Sequence, residues 1–293
     1  FFETPFFTSE RAEKSARHLH LPLKIVDVTE RHLKRVRRPK FGYGENMNPC
    51  IDCHTLMVRI AGEMLNEEGA QFVITGEVLG QRPMSQNKKS LELVAIESGV
   101  DDLLLRPLSA KCLSATFPET EGWVERDALM DIHGRSRKPQ MELARRLHIT
   151  DYPSPAGGCM LTEKGFSRRL KDLLSVNKDV HRNELELLKV GRHFRITPQT
   201  KVVVGRNRTE NVKIAALGTT EDTLLNSASV PGPTVLLAGA PSPEALRLAA
   251  EMTTAYSDTP NQGTNDIRMI RNGQSRIIST EIRDKSVFKC YMI

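Results

Sequence analysis

The chain lacks a long apolar run, a signal-like start and a disulfide framework. No stretch approaches the ~20 apolar residues that a membrane-spanning helix needs, and the first residues, FFETPF, do not combine a basic start with an apolar segment, as a signal peptide would. The number of cysteines, five, is odd, and only two of them lie close together. These features predict a cytoplasmic protein without a membrane partner, whose cysteines serve metal binding or catalysis.

The charge balance is only mildly basic. The 42 Lys and Arg residues exceed the 36 Asp and Glu residues by 6, and the isoelectric point is about 9.1. This excess permits a polyanionic partner but does not require one. With 293 residues the chain is long enough for two domains, each with its own core.

The first part of the chain alternates strand and helix signals. Branched and apolar runs predict short strands at residues 23–28, 71–75 and 103–105. Helical periodicity or helix-start signals follow Ser9, Cys53, Ser90, Pro139 and Phe166. The alternation predicts a doubly wound α/β domain with a parallel sheet over residues 1–175. A loop rich in Pro and Gly, residues 153–159, separates the last two helices.

The character of the sequence changes near residue 190. Short strands are predicted at residues 194–197, 201–204 and 234–237, with helices from Thr209 and Ser242. Asn272 and Gly273 between two strand-like runs predict a hairpin. Residues 190–293 are therefore expected to form a second, smaller α+β domain.

Three cysteines are the leading candidates for chemistry. Cys50 and Cys53 form a CxxC pair at a helix start, where backbone N–H groups favour the thiolate that binds soft metals or attacks. Cys159 lies in the loop rich in Pro and Gly, which can fold closely around a ligand. Zinc would need four ligands, with His54 as a completion, whereas three cysteines suit a [4Fe–4S] cluster with one open iron. A nucleophile with a resolving pair, or simply reduced core cysteines, would also explain the spacing.

The segment TGEVLGQ, residues 75–81, directly follows a predicted strand. In a parallel sheet this is the carboxyl edge, where ligands bind. A tight turn between strand and loop is the plain alternative.

Several motifs resemble those of tRNA-thiolating enzymes. Residues 75–86 resemble a stretch of the tRNA 4-thiouridine synthetases, and LRPL at 105–108 resembles the motif that follows in the same enzymes. NPCIDC at 48–53 is similar to a segment of the wider group that also contains the 2-thiouridine enzymes. Cys159 lies where that group carries a later cysteine. The four motifs occur in the family's order within residues 1–175.

The resemblance implies a tRNA sulfurtransferase of the ATP-pyrophosphatase (PP-loop) superfamily, with a HUP-like fold. ATP, with Mg²⁺, would adenylate a uridine carbonyl oxygen, and sulfur from a cysteine persulfide or a cluster-held hydrosulfide would displace AMP. Its expected partners are tRNA and a sulfur donor, and of the two sulfur chemistries the cluster is favoured. The residues implied for sulfur and cluster are Cys50, Cys53 and Cys159, and those implied for the adenylate side are Thr75, Gly76, Glu77 and Gln81.

The pyrophosphate-holding Ser-Gly-Gly-x-Asp-Ser loop of these enzymes has no counterpart in the sequence. The one Gly-Gly pair, at 157–158, lies at the wrong place. Residues 1–6 resemble the second strand of the family's fold, so the first strand and the phosphate loop are expected upstream. The chain by itself is therefore expected to bind ATP poorly and to be inactive.

The second domain resembles the RNA-binding domain of NFACT-type ribosome quality-control factors. The resemblance lies in VVGRN at 203–207 and VPGPTV at 230–235, and it implies RNA binding by residues 190–293. Two alternatives remain open for the whole chain. One is a non-catalytic RNA-binding protein with structural zinc on Cys50, Cys53, His54 and Cys159, and the other is an enzyme that adenylates a small molecule.

Overall fold

The computed structural model describes residues 1–152, 158–177, 179–239, 241–260 and 262–293. Contacts divide the chain into two compact units, Phe1–Thr162 and Glu163–Ile293. Most of the loop at 153–159, expected to be non-helical, lies outside the described residues. No helix in the described part of the chain combines the length and apolarity needed to cross a membrane.

The first unit is built from short strands and helices in alternation. Its strands are β1 (Phe2–Glu3), β2 (Val26–Asp27), β3 (Val73–Ile74) and β4 (Leu104–Leu105). Its helices are α1 (Glu10–His18), α2 (Thr29–Arg37), α3 (Cys50–Glu63), α4 (Lys88–Ser98), α5 (Phe117–Thr120) and α6 (Lys138–Arg146). Single 3₁₀ turns occur at Asp101–Leu103, Ala110–Cys112, Arg126–Ala128 and Met160–Thr162.

Two parallel strand pairs, not one continuous sheet, form the β-structure described for this unit. β1 pairs with β2 and β3 pairs with β4, each joined by helical segments as in a βαβ unit. Within the described residues neither pair has a third strand. An apolar groove of about 370 Å³ is lined by residues of β1, β2, β3 and α3. The expected parallel α/β architecture is thus present, but its β-structure is smaller than the sequence predicts.

Helix α3 packs against both strand pairs and so holds the first unit together. Leu56 and Ile60 form a buried cluster with Val28 beside β2, while Val58 packs with Val73 of β3 and with residues of α4 and β4. The helical periodicity that the sequence shows after Cys53 is confirmed, and its two apolar sides explain why every turn of α3 buries a residue. The cysteine pair therefore begins the central helix of the unit.

The second unit contains the longer strands. Its strands are β5 (Arg192–Thr197), β6 (Thr200–Val204), β7 (Thr223–Ser227), β8 (Val235–Leu237), β9 (Thr264–Arg271) and β10 (Gln274–Glu281). Its helices are α7 (Lys164–Val176), α8 (Arg182–Leu187), α9 (Arg208–Leu217) and α10 (Pro243–Ala255), with a 3₁₀ helix at Lys285–Tyr291.

The strands of the second unit form an antiparallel sheet in the order β10-β9-β7-β8-β6-β5. Val202 and Val204 of β6 lie in the core cluster that includes α10, and Val203 between them packs with Ile214 of α9. Successive side chains of a strand point to opposite faces, so both faces of this sheet are covered by helices. The predicted hairpin is confirmed, with Arg271 opposite Gln274.

The boundary between the units lies earlier in the chain than the limits of 175 and 190 expected from the sequence. Helix α7 belongs to the second unit, where its Asp172 accepts hydrogen bonds from Arg195 of β5 at 3.0 and 2.6 Å. A bidentate ion pair across elements is not visible in local periodicity, which is why the sequence assigns α7 to the preceding domain.

Candidate active site

The start of α3 holds Cys50 through the preceding loop. Asn48 donates a hydrogen bond from Nδ2 to the Cys50 sulfur at 3.2 Å, and its backbone carbonyl accepts one from the Gly44 N–H at 3.0 Å. A Cβ at Gly44 would overlap the Asn48 side chain. The glycine therefore permits the close approach that aims Asn48 at the sulfur.

Asp52, between the two cysteines, fixes the basic loop before them. Its carboxylate is buried and accepts hydrogen bonds from the backbone N–H groups of Lys40 at 2.8 Å and Phe41 at 3.0 Å. The CxxC pair and the loop around residue 40 are therefore held together by one carboxylate.

The Cys159 segment is tied to the same region by two hydrogen bonds and is braced internally by a third. The Met160 N–H donates to the carbonyl of Phe6 at 2.8 Å, and Asn46 Nδ2 donates to the carbonyl of Thr162 at 2.9 Å. The Thr162 hydroxyl donates to the Cys159 carbonyl at 2.7 Å. The two anchors, both on residues that closely follow Cys159, thus come from the β1 loop and from the loop that precedes α3.

These anchors bring Cys159 near the CxxC pair. Burial raises the pKa of Cys53 well above its ordinary value, and the nearby Cys159, Cys50 and Asp52 raise it further. Burial also raises the pKa of Cys159; Cys50 adds to this rise, while a backbone hydrogen bond from Leu161 and the charge of Arg82 oppose it. Cys50 and Cys159 therefore lie near enough to Cys53 to raise its pKa, although Cys159 follows Cys53 by 106 residues.

The expectation that the helix start makes Cys53 a ready thiolate is wrong for the structure as it stands. Withdrawal of the sulfur from water disfavours the charged form more than the helix terminus favours it. Cys53 is held as a thiol, and a bound cation or an opened site would be needed to ionise it.

Glu77 joins the cysteine helix to the carboxyl ends of β3 and β4. Its Oε1 lies 2.7 Å from Nδ1 of His54 in α3, and its Oε2 accepts from Nε of Arg106 at 2.9 Å and from the Thr75 hydroxyl at 3.2 Å. Burial alone would raise the pKa of Glu77, but the His54 hydrogen bond and the charges of His54 and Arg106 lower it to about 2. Arg106 also donates to the carbonyl of Leu91.

This network explains why the Thr-Gly-Glu segment and the Leu-Arg-Pro-Leu segment occur together. The carboxylate of the first and the guanidinium of the second form a buried ion pair, both less than a tenth exposed. Glu77 therefore offers its carboxylate to side chains of the protein, and its role in the structure is to position His54 and the strand ends.

The other residues expected on the adenylate side lie around the same edge. The Thr75 N–H donates to the carbonyl of Leu105 at 3.0 Å and extends the β3–β4 pairing by one residue. Gly76 is exposed, with no protein atom within 4 Å of the position of a Cβ. The Gln81 N–H donates to Val78 in the turn that follows. Open space at Gly76 beside a strand end is where a ligand can approach the backbone.

The thiols do not form a finished ligand set for a metal. Cysteine sulfur has the right chemistry for zinc or an iron–sulfur cluster. In the described residues, however, no group of three or more His, Cys, Asp and Glu side chains is arranged to hold an ion. Ligation by all three cysteines would require their sulfurs to draw closer together.

Sequence reasoning missed three residues that complete the site. Arg82 acts on Cys159 through its charge, Asn48 contacts Cys50, and Arg106 holds Glu77. All three lie inside motifs that the sequence analysis quotes, so the signal for them was present. The partners of Arg82 and Arg106 are distant in sequence, and spacing alone does not reveal that Asn48 contacts Cys50, two residues further along the chain.

The remaining cysteines lie apart from this set. Cys112 donates to the carbonyl of Asp131 at 3.2 Å and lies 3.7 Å from His133, while Cys290 is exposed in the second unit. They provide matched controls for the other three.

Comparison with known families finds two matches, one in each unit. Residues 15–111 match the family described as thiamine biosynthesis protein (ThiI), and residues 191–292 match the NFACT protein RNA binding domain. Each half of the chain is similar to one of these families. The first match contains Cys50, Cys53, Glu77 and Arg106 but ends before Cys159. The second contains both motifs quoted for the second domain.

No curated protein matches the chain. A solved structure, the C-terminal part of the fibronectin/fibrinogen-binding protein from Streptococcus suis, is 12% identical and covers 97% of this chain and 100% of its own, with a TM-score of 0.31. A likeness of this size carries no argument about function.

Proposed function

We propose that the protein takes part in tRNA thiolation, with sulfur handled at Cys50, Cys53 and Cys159 and RNA bound by the second unit. The observation that carries the proposal is the convergence of Cys159 on the CxxC pair through anchors at Phe6 and Asn46. The similarity of residues 15–111 to the ThiI family supports the thiolation role, and that of residues 191–292 to NFACT domains supports RNA binding.

The proposed reaction has two steps. A uridine carbonyl oxygen attacks the α-phosphorus of ATP, and pyrophosphate leaves. A sulfur nucleophile delivered at the three cysteines then attacks the uridine carbon that carries this oxygen, and AMP leaves with the oxygen. Thr75, Gly76 and Gln81 would line the adenylate-binding site, and Glu77 would position the strand ends beneath it. Mg²⁺ would bind together with the nucleotide.

A three-cysteine [4Fe–4S] cluster is the favoured means of holding the sulfur, although the thiols as placed are not yet a ligand set. If bound, the cluster would be held by Cys50, Cys53 and Cys159 and would supply sulfur for the transfer. The residues of this chain would supply three thiolates and the hydrogen bond of Asn48 to Cys50, which a bound cluster would retain. An anaerobically purified protein with absorption near 400 nm and about four irons per chain would support this chemistry.

ATP binding would need a phosphate loop that residues 1–293 do not contain. The proposal is that a further parallel strand with such a loop completes the site. It is supported by the pairing of β1 with β2 alone and of β3 with β4 alone in the described residues, and by the groove that both pairs line. The chain by itself should then release no AMP from ATP, and adding a strand and loop of this kind should restore release.

The central experiment is mass spectrometry of tRNA nucleosides from cells that lack the gene. Loss of one thiolated nucleoside, restored by the wild-type gene but not by a Cys159→Ala gene, would support the proposal. An unchanged set of thionucleosides would contradict it, since no other role in thiolation would then remain.

One observation favours a second candidate, a zinc-containing RNA-binding protein without catalysis. The pairing of His54 Nδ1 with Glu77 at 2.7 Å is the arrangement in which a histidine ligates metal through its other nitrogen. Elemental analysis distinguishes the two. One zinc per chain without absorption near 400 nm, lost on substitution of His54 by Ala, would favour this candidate.

A further inference from the structure

The second unit contains a cavity that neither the cysteine site nor the family match assigns. Its volume is about 600 Å³, and its lining brings together the two motifs of this domain, the end of α10 and one residue of the C-terminal 3₁₀ helix. Four cationic side chains, Arg192, Arg206, Arg208 and Lys285, line it together with Tyr256.

The walls of this cavity are fixed by hydrogen bonds between its loops. Asn211 accepts from the Thr234 N–H at 3.0 Å and donates to the Gly232 carbonyl at 3.3 Å. The Gly205 N–H donates to the Thr234 carbonyl at 3.0 Å. A Cβ at Gly205 would overlap Asn211, so the two motifs are packed as closely as glycine allows.

The end of α10 closes the third side. The Asp258 N–H donates to the Pro231 carbonyl at 2.8 Å, and a Cβ at Gly232 would overlap the Ser257 side chain. The cavity is therefore formed by the close backbone packing of three loops, with the Asn211 side chain bonded between two of them.

The charges of the lining favour an anion. Asp258 is the one acidic residue among those that line the cavity. Glu210 neutralises Arg206, which donates to it through Nε at 2.9 Å. Within the described residues Arg192 and Arg208 form no ion pair, so their charges are free to meet a ligand.

An aromatic surface lies beside these charges. The Arg192 guanidinium lies over the Tyr256 ring, 5.2 Å from its centroid, and the ring packs on the core residue Phe194 with centroids 6.0 Å apart. A planar guanidinium held on a ring presents a flat cationic face on which a base can stack. Phosphate oxygens are contacted mainly by Arg and Lys.

We propose that this cavity binds a nucleotide of single-stranded RNA, with the phosphate at Arg208 and Lys285 and the base on the Arg192–Tyr256 pair. The inference rests on the proposed RNA binding by the second unit and names the part of it that makes contact. A cavity of this volume is large enough for one nucleotide.

The test is fluorescence anisotropy of the full chain with a short unstructured RNA. The double variant Arg192→Gln, Arg208→Gln should weaken binding by about tenfold or more, and the loss of one phosphate contact, that of Arg208, should reduce the salt slope by about 0.7. Tyr256→Leu should weaken binding with little change in the slope, because stacking is not ionic. Lys213→Gln is the matched control, since Lys213 is exposed on α9 but does not line the cavity.

The possible outcomes separate RNA binding by the second unit from nucleotide binding in this cavity. If the wild-type chain binds no RNA, the proposed function of the second unit fails. If it binds RNA and the cavity variants bind equally well, or if Lys213→Gln loses as much affinity, RNA binding stands and this inference is overturned. If an acidic peptide binds the wild-type chain but not the double variant, and RNA does not bind, the cavity is assigned to a protein segment instead. Thermal melts equal to wild type exclude misfolding of the variants.

Discussion

In the first unit every described strand is two residues long, whereas in the second unit strands of up to eight residues form one sheet. The candidate residues of the first unit are positioned by side chains, whereas the cationic cavity of the second unit is shaped mainly by backbone packing. Asp52, Asn46 and Glu77 each connect segments that no sheet joins. In the second unit Gly205, Gly232 and Thr234 pack between elements that the sheet already orders.

The difference matters because the two kinds of positioning fail differently. A site positioned by a few charged and polar side chains loses its geometry when one partner is removed, since a buried group is left unpaired. A site shaped by backbone on a sheet tolerates the loss of single side chains and is damaged by changes of volume. Substitutions should therefore have larger and more local effects in the first unit.

The largest effect is expected at the cysteines. Cys50→Ala, Cys53→Ala and Cys159→Ala should each abolish tRNA thiolation in complemented cells, because the three thiols act as one set. Cys112→Ala and Cys290→Ala should leave the thionucleoside level near wild type. Retained thiolation in any of the first three variants, measured by nucleoside mass spectrometry, would separate that cysteine from the set.

Removal of the buried charge of Glu77 should destabilise the first unit by about 3 kcal/mol, because it leaves Arg106 buried and unpaired. The matched control is Glu63→Gln. Glu63 pairs with Arg31 at 2.7 Å, but its side chain is half exposed, so the change should cost less than about 1 kcal/mol. Urea denaturation of Glu77→Gln and Glu63→Gln measures both values, and equal effects would show that the Glu77 network does not hold the site.

The same carboxylate predicts a pH dependence. Its pKa of about 2 in the folded state is below the value of about 4.3 expected when unfolded. Its contribution to the free energy of unfolding is therefore complete above about pH 4.3 and is lost as the pH falls towards 2. Glu77→Gln should remove this component of acid sensitivity, which can be followed by denaturation between these pH values.

In the second unit Lys201 should produce a slope of the same sign, but in the alkaline range. Burial lowers its pKa to about 8, although the Asp172 carboxylate opposes the shift. The unfolded chain, with a lysine pKa of about 10.4, binds more protons above pH 8, so stability should rise by about 2 kcal/mol between pH 8 and pH 10. Lys201→Met should remove this rise, and Lys213→Met, at an exposed position of α9, should keep it.

Two glycines offer the smallest test. Gly44→Ala should displace Asn48 from Cys50 and cost about 1 kcal/mol or less, because a flexible side chain can move away. Gly165→Ala, in the first turn of α7, meets nothing closer than 3.8 Å and should stabilise the second unit by about 0.5 kcal/mol through helix propensity. Thermal melts of the two variants should therefore shift in opposite directions, and equal shifts would contradict this account.

The sequence determined the local elements and the identity of the reactive groups. The periodicity after Cys53, the Ser242 start of α10 and the Asn272–Gly273 hairpin are all confirmed, because each depends on residues near in sequence. Strand lengths in the first unit were overestimated, since apolar runs mark burial as well as pairing.

Only the tertiary structure decided which of these groups meet and in what state. It brought Cys159 towards Cys53 through the hydrogen bonds that Phe6 accepts and Asn46 donates, engaged Glu77 with His54 and Arg106, and buried Cys53 so that its pKa rises. These outcomes depend on contacts between residues far apart in the chain and on the exclusion of water. Neither is encoded in spacing or propensity, because both arise only when the separate elements pack together.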